Sequence, residues 1–240
     1  MRIKKSLSVI VPFYNEEKEL PLLLRDLIKF EGKNSNFIFE YLFINDGSKD
    51  NSLKIINNLK KTVKQEISSK IKILSNVKNI GWSKTLLRGY RESRGGYVLF
   101  IPGDGEARLT QFLKKINFGK KDVIIFQRKS MLYRPIDRII ISYIYRFLIS
   151  IIFFTRFIDF NGLIILKRDI IKKINISSNS FFVSAEIIVK CYKLGLNVDC
   201  KNSFKLFSKK KYKSTSLNFK QFFLIIKDAL ITLRFIMSIK

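Results

Sequence analysis

Short apolar runs alternating with amphipathic stretches constrain this chain more than any single residue does. Ser6–Val11, Phe37–Ile44, Ile71–Leu74 and Tyr97–Ile101 have the length of strands, and the last, an unbroken apolar run, reads as a strand covered on both faces. Between them, Glu16–Phe30, Lys49–Lys61 and Trp82–Arg94 read as helices. Leu20, Leu23, Leu24, Leu27 and Ile28 form one face of the first. A helix from Leu109 to about Asn117 and a strand Val123–Phe126 extend the alternation. Strands alternating with helices of this length predict an α/β fold, a mainly parallel sheet flanked by helices.

In such sheets ligands bind at the carboxyl ends of the strands. Each of the first four runs ends in a loop of acids, amides or glycines. These are Pro12, Tyr14, Asn15 and Glu16; Asn45, Asp46, Gly47 and Ser48; Asn79 and Gly81; and Pro102 through Glu106. Any one of them is an ordinary turn or helix cap, but four in register make a binding site. The fourth is the most telling. Pro102 ends the strand because it has no N–H to donate, and Gly103 and Gly105 let the backbone approach a ligand around Asp104. Asp104 and Glu106 then offer hard oxygen ligands suited to Mg²⁺ or Mn²⁺ shared with substrate phosphates.

Lys plus Arg number 46 against 19 acids, a net charge of +27, which implies an anionic partner. There is no histidine, so His-based acid/base catalysis and His metal ligation are excluded. Cys191 and Cys200 match no metal or redox spacing. The apolar run Leu7–Val11 is too short for a secretory leader and stops at Pro12, so a first strand and a cytoplasmic location are expected.

Taken together, Ser8–Glu16, Asn45–Ser52 and the run from Asn79 through Gly81 and Gly89 to Gly95 resemble glycosyltransferase family 2. The likeness is to its dolichol-phosphate mannosyltransferase-like, polyprenyl-phosphate branch, and it runs from about residue 6 to 216. The resemblance implies a GT-A (Rossmann-like) domain over residues 1–217. Its half at about 1–128 would take the nucleotide sugar and metal, and 129–217 the acceptor, with an interfacial helix at 136–158. It places Pro12, Tyr14 and Glu16 along the base and ribose and Asp46 near the base. Gly81, Lys84, Arg88 and Gly103 fall beside the donor, and Asp104 and Glu106 on the metal. Arg128 is the phosphate clamp, Asp159–Gly162 the acceptor-side loop, and Lys211 a charge folding over the donor phosphates. Three positions depart from the family pattern: Pro102 stands where the first metal-motif Asp belongs, Ser184 where an Asp pairs with Glu186, and Lys211 where an Arg is usual.

The implied activity is inverting, metal-dependent transfer of a sugar from a nucleotide-diphosphate sugar to a polyprenyl phosphate or other membrane-bound acceptor. The alternative is transfer to a sugar hydroxyl, which needs a positioned carboxylate base. A purely basic nucleic-acid binder needs none of the four loops, so no nucleic-acid partner is expected. Arg138, Ser142, Arg146 and Ser150 form a polar stripe along the apolar segment Ile139–Ile158. The segment 218–240 reads as a C-terminal amphipathic helix, with Phe222, Phe223, Ile225, Ile226, Ala229, Leu230, Leu233, Ile236 and Met237 on one half and Lys220, Lys227, Asp228, Thr232 and Arg234 on the other. Both suit an anionic membrane surface, hence a peripheral protein on the cytoplasmic face of the cytoplasmic membrane.

Overall fold

The computed structural model describes residues 5–33, 37–111, 121–129, 136–156, 158–205 and 219–238. The chain forms two compact units, Met1–Asn117 with Ile165–Ile170, and Phe118–Ile164 with Ile171–Lys240. Lys211 and most of the region expected to be helical after Leu109 lie outside the described residues; Leu109–Gln111 is a 3₁₀ turn.

The first unit runs β1 (Lys5–Phe13), α1 (Leu20–Gly32), β2 (Phe37–Asn45), α2 (Ser52–Thr62), α3 (Gln65–Ser68), β3 (Ile71–Ser75), α4 (Trp82–Glu92) and β4 (Tyr97–Phe100). β2 pairs with β3 and with β1, and β1 with β4, all in parallel. Val9, Ile10, Val11, Leu42, Phe43, Ile44, Val98 and Leu99 are fully buried, as expected of strands covered on both faces. α1 starts with Pro in its first turn, where a missing N–H costs nothing. It turns Leu20, Leu23, Leu24, Leu27 and Phe30 inward.

Register places the loops. Phe13 lies opposite Asn45, and Asn45 opposite Ser75, so three chains leave the sheet at one level. Ile101 N–H to Ile10 O at 2.8 Å and Gly103 N–H to Pro12 O at 3.0 Å bring the fourth loop up beside them. α4 lies close on the sheet at Gly89, where a Cβ would fall 2.3 Å from Ile10 Cγ2 and 2.8 Å from Ile44 Cδ1.

The second unit holds β5 (Val123–Lys129), α5 (Ile136–Ile152), α7 (Val183–Lys193), β7 (Val198–Lys205) and α8 (Phe219–Ser238), with β5 and β7 parallel. Between α5 and α7 the chain forms β6 (Leu163–Lys167) and α6 (Arg168–Lys173). Residues 165–167 of β6 pair antiparallel with β4, a strand beside β4 that the apolar periodicity had not marked.

Gly89→Ala tests this packing. The added methyl must displace two fully buried isoleucines, so a loss of about 1–3 kcal/mol is expected, seen as a lower Tm in thermal denaturation.

Candidate functional site

The strand-end loops of the first unit are tied together before any ligand is considered. Asn15 is held at φ +56, and its N–H donates to Ser48 Oγ at 3.0 Å while its own Oδ1 accepts from Lys49 N–H at 2.8 Å. Glu16 N–H donates to Ser52 Oγ at 2.7 Å and Glu17 N–H to Asp50 Oδ2 at 3.3 Å. Glu17 in return accepts from Asn51 N–H at 3.1 Å. Burial opposes ionisation of the Asp50 carboxyl, but the bonds from Ser52 and Glu17 outweigh it and hold it below the usual range. So Ser48, Asp50 and Ser52 build the first loop and leave the ligand to others.

Asp46 does the same for the third loop. Its Oδ1 accepts from Asn76 Nδ2 and Ile80 N–H, both at 2.9 Å, and its Oδ2 from Gly81 N–H at 3.0 Å. Gly47, at φ +69, lies directly under that loop, and a Cβ there would be 2.5 Å from the Lys78 carbonyl carbon.

The enclosed cleft is lined by Pro12, Phe13, Tyr14, Glu16, Asp46, Asn79, Gly81, Trp82, Thr85, Pro102, Gly103 and Asp104. Its volume of about 280 Å³ is close to the lower bound of small-molecule clefts. Of the expected donor residues, Pro12, Tyr14, Glu16, Asp46, Gly81 and Gly103 all line it. Lys84 does not and is exposed. Arg88 is turned to Ser75 O at 2.8 Å and Asn76 Oδ1 at 2.5 Å, where it steadies β3 instead of facing a diphosphate. Phe13, Trp82 and Thr85 were missed by the motif reading. Trp82 had one signal, being the chain's only tryptophan, placed just after Gly81; its ring meets Phe100 edge-on at 5.3 Å.

Of the two expected metal ligands, Asp104 lines the cleft and Glu106 is buried. Glu106 N–H donates to Asp104 Oδ1 at 2.9 Å, which orients the carboxylate. The described lining carries three carboxylates and no Lys or Arg. Asp104 is a hard oxygen donor that fits Mg²⁺ or Mn²⁺. No group of three or more metal-ligating side chains occurs among the described residues, so the remaining ligands would be substrate oxygens and water.

In the second unit, Arg128 grips Asp159 through Nε and Nη2, both at 2.6 Å, and its own N–H donates to the same carboxylate. Arg146 adds Nη2 at 3.2 Å. Burial alone would raise the Asp159 carboxyl, but Arg128, then Arg146, hold it below the usual range. Glu186 is fully buried and engaged by Lys190 Nζ at 2.5 Å, by Ser177 N–H and Oγ, and by Ser178 N–H. It is a structural carboxylate with no room to serve as a base.

A sequence profile described as glycosyl transferase family 2 matches residues 8–174. This chain belongs to that family. The family 2 chain is 38% identical over 110 residues to a dolichyl-phosphate beta-glucosyltransferase of Dictyostelium discoideum, covering 44% of this chain and 33% of the relative. It is 32% identical over 123 residues to the dolichyl-phosphate beta-glucosyltransferase of Homo sapiens, covering 50% and 37%. These matches therefore span about a third of either relative. Among solved structures, S. aureus TarS in complex with UDP-GlcNAc aligns with a TM-score of 0.63 at 19% identity, over 95% of this chain and 66% of that one. The mannosyltransferase PcManGT of Pyrobaculum calidifontis, in complex with GDP-Man and Mn²⁺, gives 0.63 at 13% identity, over 99% and 75%. The family 2 chain thus has a GT-A fold, with its mainly parallel sheet flanked by helices.

Asp159 sets an acid limit on stability. Its folded pKa is depressed, so its contribution is complete above the ordinary carboxylate value of about 3.9 and is lost as pH falls through the lower folded value. Asp159→Asn should lower the Tm at pH 7, and the gap to wild type should narrow below about pH 4 in melting curves taken across pH.

Proposed function

We propose that this chain is a nucleotide-sugar-dependent glycosyltransferase that moves a sugar, with inversion, onto a polyprenyl phosphate at a membrane surface. The observation that carries the donor half of this reading is the cleft built by four strand-end loops, with Asp104 on its wall and no basic residue among its described lining. In the reaction an acceptor phosphate oxygen forms a bond to the anomeric carbon as the bond from that carbon to the donor diphosphate breaks. A bound Mg²⁺ or Mn²⁺ would supply charge neutralisation of the departing diphosphate. Asp104 would hold it, and Pro12, Tyr14 and Glu16 would orient the nucleoside.

A phosphate acceptor is already anionic and needs no strong base. That suits a chain without histidine whose Glu186 is engaged. In the second unit the buried Arg128 and Arg146 guanidiniums both pair with Asp159. Arg146 Nε has no hydrogen-bond partner among the described residues. That N–H fits an acceptor phosphate oxygen. The names of the two relatives above support the same class of acceptor.

Two helices support the membrane surface. On α5, Arg146 and Ile149 are buried while Ile140, Ile144, Phe147, Leu148 and Ile151 are exposed. On α8 the polar half divides, with Lys227 and Arg234 exposed. Asp228 and Thr232 are buried, and Phe222, Phe223, Ile226, Leu230 and Met237 are exposed. The reason is local: Asp228 Oδ2 accepts from Asn179 N–H, Ser180 N–H and Ser180 Oγ at 3.0, 2.9 and 2.6 Å. Lys190 Nζ lies 4.2 Å from the Phe235 ring centroid, a second tie. Exposed Lys227 and Arg234 flank the apolar face and suit anionic headgroups. Among the described residues, no helix is long and apolar enough to cross a membrane, so peripheral attachment is the reading.

Asp104→Asn should lower transfer by at least about 100-fold with an unchanged Tm, because a partly exposed side chain at the cleft wall holds no core together. Radiolabel transfer from nucleotide sugars into organic-soluble polyprenyl phosphate is the assay. Near-wild-type turnover at saturating Mn²⁺ would remove Asp104 from the metal role.

Phe223→Glu with Leu230→Glu should cut flotation with anionic liposomes by tenfold or more, since burying each apolar side chain contributes about 1.5–3 kcal/mol. Salt should weaken wild-type flotation only in part, each basic residue adding about 1 kcal/mol. Deleting α8 is a poorer test because it also strips the caps from Ser180. Unchanged flotation of the double variant would assign the face to another partner.

A further inference from the structure

We infer that Phe154 is a membrane anchor, its ring entering the acyl layer of an anionic bilayer at the end of α5. The inference rests on the membrane reading above and adds a point of insertion separate from α8.

α5 ends in a hydrogen-bond pattern suited to glycine. Phe154 N–H donates to Ile151 O at 3.2 Å and Thr155 N–H to Ser150 O at 3.0 Å, the paired bonds that close a helix through one left-handed residue. That residue is Phe154, at φ +48. Glycine takes this conformation without strain, whereas a Cβ crowds the following carbonyl. The other described non-glycine residues with positive φ are Asn15 and Asn175, and asparagine tolerates the region because its short polar side chain can bond locally. A phenyl ring offers no such compensation.

Nor does the ring offset the strain by packing. Phe154 is 89% exposed, while Phe153 beside it is buried with its ring 5.9 Å from that of Phe182. One position thus combines a strained backbone with a bare aromatic ring, and neither stabilises the fold in water. Hydrocarbon changes the balance, because moving the ring out of water is favourable in proportion to its apolar area.

The surroundings fit a bilayer. The ring follows the exposed Phe147, Leu148 and Ile151 of α5 in the chain, so it extends an apolar strip instead of standing alone. Arg156, two residues on, is exposed. A cation beside an inserting aromatic suits the boundary between anionic headgroups and acyl chains, and the chain's net charge of +27 has the matching sign.

Phe154→Gly removes ring and strain together, so its two readouts should move in opposite directions. The Tm should rise by about 2–4 °C. Partition of the full chain onto vesicles of phosphatidylcholine and phosphatidylglycerol should fall by about 10- to 100-fold, and the loss should persist at high salt, since the apolar contribution is not screened. Phe154→Trp supplies a direct probe: with the wild-type Trp82 spectrum subtracted, its emission should shift to the blue on adding vesicles and be quenched by brominated acyl chains. A lower Tm for Phe154→Gly would show that the ring packs on the protein. Unchanged partition, or no quenching at position 154, would show that it stays out of the bilayer. Any of these results overturns the inference, and the membrane reading survives it if Phe223→Glu with Leu230→Glu still loses flotation. If the wild-type chain does not bind the vesicles, that reading fails and the inference with it.

Discussion

Parallel pairing is the constraint on which the first unit depends. Because β1, β2, β3 and β4 run the same way, every one of them ends on the same side of the sheet, and four loops must share a small area. Crowded backbone amides there need acceptors. The side chains of neighbouring loops supply them: Ser48, Asp50 and Ser52 for the first loop, Asp46 for the third. Most of the polar residues that stand out in the motifs are therefore spent on one another. The groups left to face the cleft are Pro12, Tyr14, Glu16 and Asp104, joined by Trp82.

That division explains what could be read in the sequence. Strands β1 to β4 were legible because each is a short run rich in apolar residues, unbroken in β4 and interrupted at isolated polar positions such as Glu40 in β2 and Lys72 in β3, and their loops because Gly, Asn and Asp cluster where chains turn. β6 was not: a five-residue apolar run carries no sign of direction, and its antiparallel pairing with β4 is a long-range event. Arg88 looked like a phosphate ligand since it lies on the helix after Gly81, yet helical rotation turns it toward Asn76. Glu106 shares the turn with Asp104, and only coordinates separate the residue that lines the cleft from the one buried beside it. Trp82 and Thr85 lie one helical turn apart at the start of α4, a spacing that identifies a shared face but not what the face meets.

The second unit is organised by charge to a degree the first is not. Arg128, Arg146, Asp159, Glu186, Lys190 and Asp228 are all buried or nearly so. Breaking such a pair from one side leaves an uncompensated buried charge, worth about 3–5 kcal/mol. These groups define where α5, α7 and α8 sit, which apolar contacts alone would leave less sharply specified.

On α8 Asp228 and Thr232 are buried while Phe222, Phe223, Ile226, Leu230 and Met237 are exposed, so tolerance to substitution is inverted at these positions. Recoding Phe223, Ile226 or Leu230 to Gln or Lys removes almost nothing that the helix rests on, whereas Asp228→Ala strands two backbone amides. A surface redesign that kept charges and replaced leucines in the usual interior would damage this protein. The reverse rule, applied to the exposed apolar positions of α8, leaves the cleft and the ion pairs untouched.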